Sequence, residues 1–201
     1  MSEETVAESK PKKSVSEQLY MQDGRNLLWT LVVGLIGTGV FILLSMTPTP
    51  YTMVGLFKFG IAPAVTIIGV VAAFRGPVAG FLTGYLGVVL YDLVVRGVVV
   101  TMTLPAVGYG IMGLVVGLAT YDLTNGRSLA KLSVLSAVGF VFTVLIVVAV
   151  GLTVESLATL VVLGFVMLPL ITVGLPSVLL LTPVFARVCY AIESKRETPD
   201  S

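Results

Sequence analysis

Apolar residues fill this chain in six long runs, separated by short breaks that are polar or rich in proline and glycine. The runs cover approximately Leu27–Met46, Phe59–Phe74, Pro77–Val95, Leu104–Thr120, Leu132–Gly151 and Leu157–Val188. Each approaches the roughly 20 residues that an α-helix needs to cross a bilayer; the second is the shortest. The breaks carry their own chemistry. Thr47, Pro48, Thr49 and Pro50 cannot continue a helix and open a loop that runs to about Lys58. Arg75-Gly76-Pro77 is a tight turn with proline at the first position of the next helix. Asp122 to Arg127 is a polar turn, and Thr153 with Glu155 separates the last two runs. Within the sixth run, Pro169, Gly174, Pro176 and Pro183 predict kinks or a broken end.

The pattern predicts an all-α integral membrane protein, a compact bundle of six transmembrane helices over residues 27–188. A flexible tail over 1–26 and a short C-terminal tail over 189–201 flank it. Composition agrees: 56% of the 201 residues are hydrophobic and 11% are charged, against about 25% charged in a soluble domain. The polar N-terminal stretch lacks the apolar core and small-residue cleavage site of a signal peptide.

Charge sets the expected orientation. With the N-terminus in the cytoplasm, ten of the twelve Lys and Arg residues fall on the inner side, as the positive-inside rule requires. Both termini are then cytoplasmic, in a multi-pass protein of the plasma membrane. Four charges remain outside: Lys58, Asp92, Arg96 and Glu155. Because charge is costly at a bilayer, this sparse set is the lead to function.

Asp92 and Arg96 stand four residues apart at the end of the third run, on one helix face. Tyr85 lies on roughly the same side. Tyr51 and Lys58 bound the first outer loop, and Thr101 and Tyr109 enter from the start of the fourth run. Aromatic faces, hydroxyls and both signs of charge in an apolar setting are the ingredients of a small-ligand pocket. Tyr51, Lys58, Tyr85, Asp92, Arg96, Thr101 and Tyr109 are therefore candidate substrate contacts. The alternative is that Asp92 and Arg96 pair for stability while Lys58 marks the water boundary; Glu155 is read as a boundary marker.

Catalysis finds no support. The chain has no histidine and a single cysteine, Cys189, so the usual metal-ligand clusters and nucleophile–base pairs cannot be assembled. The GYGIMG stretch at 108–113 lies inside an apolar run and is not a nucleotide fingerprint. No cofactor, metal site, enzymatic activity or nucleic-acid partner is expected.

Many of the 21 glycines sit inside the runs. Gly34, Gly37, Thr38 and Gly39 line the first; Gly80 and Gly84, then Gly113 and Gly117, repeat at four-residue spacing in the third and fourth. Such faces let helix backbones approach closely, either within the bundle or against a partner protein.

The stretch from Phe57 to Val95 resembles the N-terminal half of the substrate-binding S component of energy-coupling factor (ECF) transporters. The shared pattern is a short apolar second helix, a cytoplasmic Gly-Pro turn, a glycine-ladder third helix and a terminal Asp. YGIMGLVVGL at 109–118 is similar to a later glycine-rich helix of that family. The resemblance covers the six runs and implies a protein that captures a vitamin or similar micronutrient at the outer face. It further implies docking on a transmembrane coupling subunit driven by a pair of ATPases. Family members dock through small residues on the first helix, which implies Gly34, Gly37, Thr38 and Gly39 here, although an alanine pair is missing. Two other readings stay open: a scaffolding membrane protein resembling the MreD cell-shape family, and a stand-alone small-molecule carrier.

Overall fold

The computed structural model describes residues 24–49, 51–54, 57–97 and 103–197. In chain order it has helix α1 (Gly24–Met46), strands β1 (Tyr51–Val54) and β2 (Phe57–Gly60), then helices α2 (Pro63–Arg75), α3 (Pro77–Arg96), α4 (Thr103–Gly117) and α5 (Gly126–Thr153). A final helical rod, α6, occupies residues 159–197. Four helical stretches are long and apolar enough to cross a membrane: Arg25–Met46, Pro77–Val95, Gly126–Thr153 and Thr159–Ser194. The other two apolar helices are shorter, with 13 residues in α2 and 15 in α4.

The surface is that of a protein dissolved in lipid. Leu43, Leu160, Phe165 and Leu180 are each at least two-thirds exposed, within a belt of exposed Leu, Val, Ile and Phe on α1, α5 and α6. An apolar surface of this extent is far beyond the few hundred square ångströms that a water-soluble monomer tolerates.

The short helix α2 is the centre of the bundle. It packs against α1, α3, α4 and α6, and Ala64, Thr66, Ile68, Gly69, Val70 and Ala72 are all buried along it. A helix that is apolar all round can be covered by neighbours instead of lipid, so its length of about 20 Å need not match the roughly 30 Å hydrocarbon thickness. Around it α3 packs on α1 and α4, α4 on α5, and α5 on α6.

The α3–α4 seam explains the glycine spacing. A Cβ on Gly80 would stand 2.7 Å from the Gly113 carbonyl oxygen. One on Gly84 would meet the Tyr109 carbonyl, and one on Gly117 the Pro77 backbone. These glycines bring two backbones into direct contact inside the molecule. Hydroxyls stitch other seams: Thr143 Oγ1 of α5 donates to the Gly108 carbonyl of α4 at 2.9 Å, and Thr83 Oγ1 of α3 to the Gly34 carbonyl of α1 at 3.2 Å.

Three features depart from the expected outline. Residues 51–54 and 57–60 pair as the strands of an antiparallel hairpin and not as a plain loop, with Tyr51 opposite Gly60 and Val54 opposite Phe57. The second apolar run therefore begins as a strand, and its helix starts at Pro63, where proline suits the first turn. The last helix continues to Glu197, through part of the expected C-terminal tail. The interruption foreseen in the sixth run takes the form of two π-helical stretches, Val162–Met167 and Leu170–Gly174, on either side of Leu168 and Pro169. There Leu168 N–H bonds to Leu163 O and Leu175 N–H to Leu170 O, five residues back. Further along, Pro183 has no N–H to offer the Leu179 carbonyl. Ser133 Oγ of α5 donates to that carbonyl at 2.5 Å.

At the turn between α2 and α3, Gly76 takes φ 85°, a conformation that side chains resist, while its N–H bonds to Ala72 O at 2.8 Å. The turn at the same end between α4 and α5 is tied to α6: Arg187 Nη1 donates to the carbonyls of Leu123 at 2.9 Å and Thr124 at 2.6 Å.

Candidate functional site

Because α2 is short, the bundle lacks a central helix at the end where α1 and α3 finish and α4 begins. A cavity of about 520 Å³ occupies that end. Ala62, Pro63, Ala64 and Val65, at the start of α2, form one side of it. The end of α1 and the residues after it contribute Phe41, Leu44, Ser45, Thr47 and Thr49; α3 contributes Val88, Tyr91 and Asp92; α4 contributes Pro105 and Tyr109. Phe140 and Val147 of α5 complete the wall with Phe165, Val166, Pro169, Leu170, Val173 and Gly174 of α6.

The hairpin links the two flanks of this cavity. It leaves the end of α1, and β2 packs against residues 170–174 of α6. Ser177 Oγ holds the junction, accepting from Ala62 N–H at 2.8 Å and donating to Val173 O at 2.6 Å. The start of α2 is thereby fixed to α6, which sets the position of the cavity wall.

Asp92 is the charged residue in the described lining. It is 2% exposed and sits one turn before the end of α3, which Gly97 closes in the left-handed conformation with its N–H on Leu93 O at 2.9 Å. Tyr91 precedes it, and Tyr109 faces the same space from α4. One buried carboxylate with two phenols and three small hydroxyl side chains, set in apolar walls, is suited to orienting a small molecule. Among the described residues no group of three His, Cys, Asp or Glu side chains could hold a metal ion.

The residues singled out from sequence divide clearly. Asp92 and Tyr109 meet in the cavity. Tyr85 does not line it; its ring stacks on Phe81 with centroids 5.7 Å apart and planes 10° off parallel, two turns away from Asp92. Tyr51 lies on β1, 58% exposed, outside the lining. Lys58 is in β2 and Arg96 ends α3, but their side chains lie outside the described structure, as does the whole of Thr101. Glu155 stands in the exposed connection between α5 and α6.

The docking face needs a correction. Gly34, Gly37 and Thr38 are buried against α3. A Cβ on Gly37 would stand 2.6 Å from Thr83 Oγ1, and Thr38 Oγ1 donates to Gly34 O at 3.0 Å. These residues are already used within the chain and offer no surface to a partner. Gly39 alone of the four is exposed, and a Cβ added to it would meet no described atom within 4 Å.

Sequence reasoning missed Phe41, Ser45, Tyr91 and the α6 wall. Tyr91 is the immediate neighbour of Asp92, and the proline breaks at 169 and 176 were visible signals of an irregular, site-forming helix. Phe41 carried no such signal, being one apolar residue among many. Set against protein-family models, curated proteins and solved structures, the chain shows no significant match to any of them.

Proposed function

We propose that this protein is a small-molecule capture subunit of a membrane importer, of the kind formed by the S components of ECF transporters. The observation that carries the reading is the cavity of about 520 Å³ at one end of the bundle, with buried Asp92 in its wall. Its volume is within the range of about 300–1,000 Å³ typical of ligand sites.

In this reading all six helices are embedded in the plasma membrane. The shorter α2 and α4 are carried by their neighbours, and both termini are cytoplasmic. The cavity then faces outward, as charge counting places the Asp92 end of α3 outside. Asp92, Tyr91 and Tyr109 orient a micronutrient-sized ligand. Energy comes from a separate coupling subunit and its ATPase pair, since no nucleotide-binding motif occurs in this sequence. With Gly34, Gly37 and Thr38 occupied, a coupling subunit meets another part of the lipid-facing surface.

The test is mass spectrometry of small molecules released from the purified protein, compared with an Asp92→Ala/Arg96→Ala variant. A compound retained by the wild type and lost from the variant supports capture. Its absence from wild-type protein prepared from vitamin-rich cultures would sink the proposal and favour a scaffolding role.

A further inference from the structure

The two sides of the cavity differ in chemistry. Every hydroxyl and the carboxylate of the described lining stand on the α1, α3 and α4 side or just after α1. None of the six lining residues of α6 carries a polar side chain: Phe165, Val166, Pro169, Leu170, Val173 and Gly174.

The α6 side is also a thin wall. Phe165 lines the cavity and is 71% exposed, so most of its ring is uncovered by the rest of the described protein. Its neighbours Leu160, Val161, Leu163 and Ile171 are exposed too. A run of exposed large apolar side chains faces lipid and not water. The backbone of this wall is π-helical on both sides of Pro169, and its packing comes mainly from α5 and the hairpin. The opposite rim is different: Thr47 is exposed there and Thr49 half-buried, and both are polar.

From this polarity we infer that the cavity takes an amphipathic ligand, which enters from the adjoining membrane leaflet past Phe165. Its polar end lies toward Asp92, Tyr91 and Tyr109, and its apolar body lies along α6. The inference rests on the capture reading and narrows it, because a fully water-soluble vitamin would leave the α6 wall without a partner. Burying an apolar body there is favourable at roughly 25 cal/mol per Å², whereas burying a polar body without hydrogen bonds is penalised. An amphipath could be a nutrient dissolved in the membrane or a lipid of the bilayer itself; the chemistry is shared.

The experiment extracts and identifies bound molecules from wild-type protein, from Tyr109→Trp, which fills the cavity, and from Leu180→Trp, an exposed control on α6 away from it. An amphipath present in wild type and control and lost from Tyr109→Trp supports the inference. A phospholipid with that behaviour identifies the bilayer as the source, and any other amphipath identifies a nutrient. A water-soluble compound in its place overturns entry from the membrane and leaves capture standing. No compound at all overturns both. Phospholipid held equally by all three proteins is surface lipid and overturns the inference. A second measurement leaves the cavity unfilled: a radiolabelled long-chain alcohol should bind the wild-type protein saturably. Adding Phe165→Ala to that protein should raise the off-rate of the alcohol roughly tenfold, the effect of losing about half a phenyl ring's apolar contact. Binding that does not saturate, or an off-rate unmoved by Phe165→Ala, overturns the inference.

Discussion

Replacing Gly80 by alanine should loosen the bundle at the seam that positions the cavity. The new Cβ would stand 2.6 Å from the Ala72 Cβ, 2.7 Å from the Gly113 carbonyl oxygen and 3.0 Å from its carbon. Ordinary contact begins near 3.4 Å, so α3 and α4 must separate by about 0.7 Å, and the obstructing Gly113 atoms are backbone that cannot rotate away. A gap of that size forfeits about a quarter to a half of each dispersion contact along the seam. Overpacking typically costs about 1–3 kcal/mol, and a backbone obstacle places Gly80→Ala at the upper end, near 3 kcal/mol. Gly39→Ala is the control, with no described atom within 4 Å of the new methyl group; it should stay within about 0.5 kcal/mol of wild type. Unfolding in mixed micelles of increasing denaturing detergent, followed by Trp29 fluorescence, measures both. Equal stability for Gly80→Ala and Gly39→Ala would refute direct backbone contact between α3 and α4. It would also remove the account of why Asp92 on one helix and Tyr109 on the other face the same space.

Three further predictions rest on single contacts. Ser133→Ala should cost about 1 kcal/mol by orphaning the Leu179 carbonyl; adding Pro183→Ala restores a backbone N–H, so the double variant should recover most of that loss in the same unfolding assay, and additive losses would disprove the link. Ser136 Oγ and Thr182 Oγ1 are buried without hydrogen-bond partners among the described residues, so Ser136→Ala/Thr182→Val should be neutral or stabilising; a loss above about 1 kcal/mol would show that the hydroxyls do find partners. The Asp122 carboxyl is held below its ordinary value by the Thr124 hydroxyl and N–H, which donate to Oδ1 at 2.6 and 3.0 Å. A lowered carboxyl pKa stabilises the fold above the unfolded-state value of about 4 and ceases to do so as pH falls through the folded-state value. Acid should therefore destabilise wild type more than Asp122→Asn between neutral pH and the folded-state value, and parallel pH profiles would contradict this.

Much of the molecule was legible in the order of residues. The apolar runs located every helix of the described residues, because a membrane-embedded helix must be apolar along its length and needs no long-range partner to be recognised. Pro77 and Gly76 marked a helix start and a turn through purely local geometry. Asp92 stood out because a carboxylate within an apolar run is rare and costly, and Tyr109 because it neighbours the same helix end. The pairing of residues 51–54 with 57–60 was not legible. Its strands alternate weakly, and their pairing is a contact between segments, not a property of either one.

The glycines show most directly what the tertiary structure decided. Spacing of four residues placed Gly34 and Thr38, Gly80 and Gly84, and Gly113 and Gly117 each on a single helix face, but a smooth face is equally fit to meet a helix of the same chain or of another protein. Only the packing shows that α3 covers Gly34, Gly37 and Thr38 and that Gly80 touches Gly113. The cavity has the same origin. Each helix length could be approximated from its apolar run, yet the space at one end arises because short α2 is central and the longer helices surround it. Local physics determined the lipid-facing helices and their breaks; which faces were consumed, and what space remained, depended on how helices of unequal length packed together.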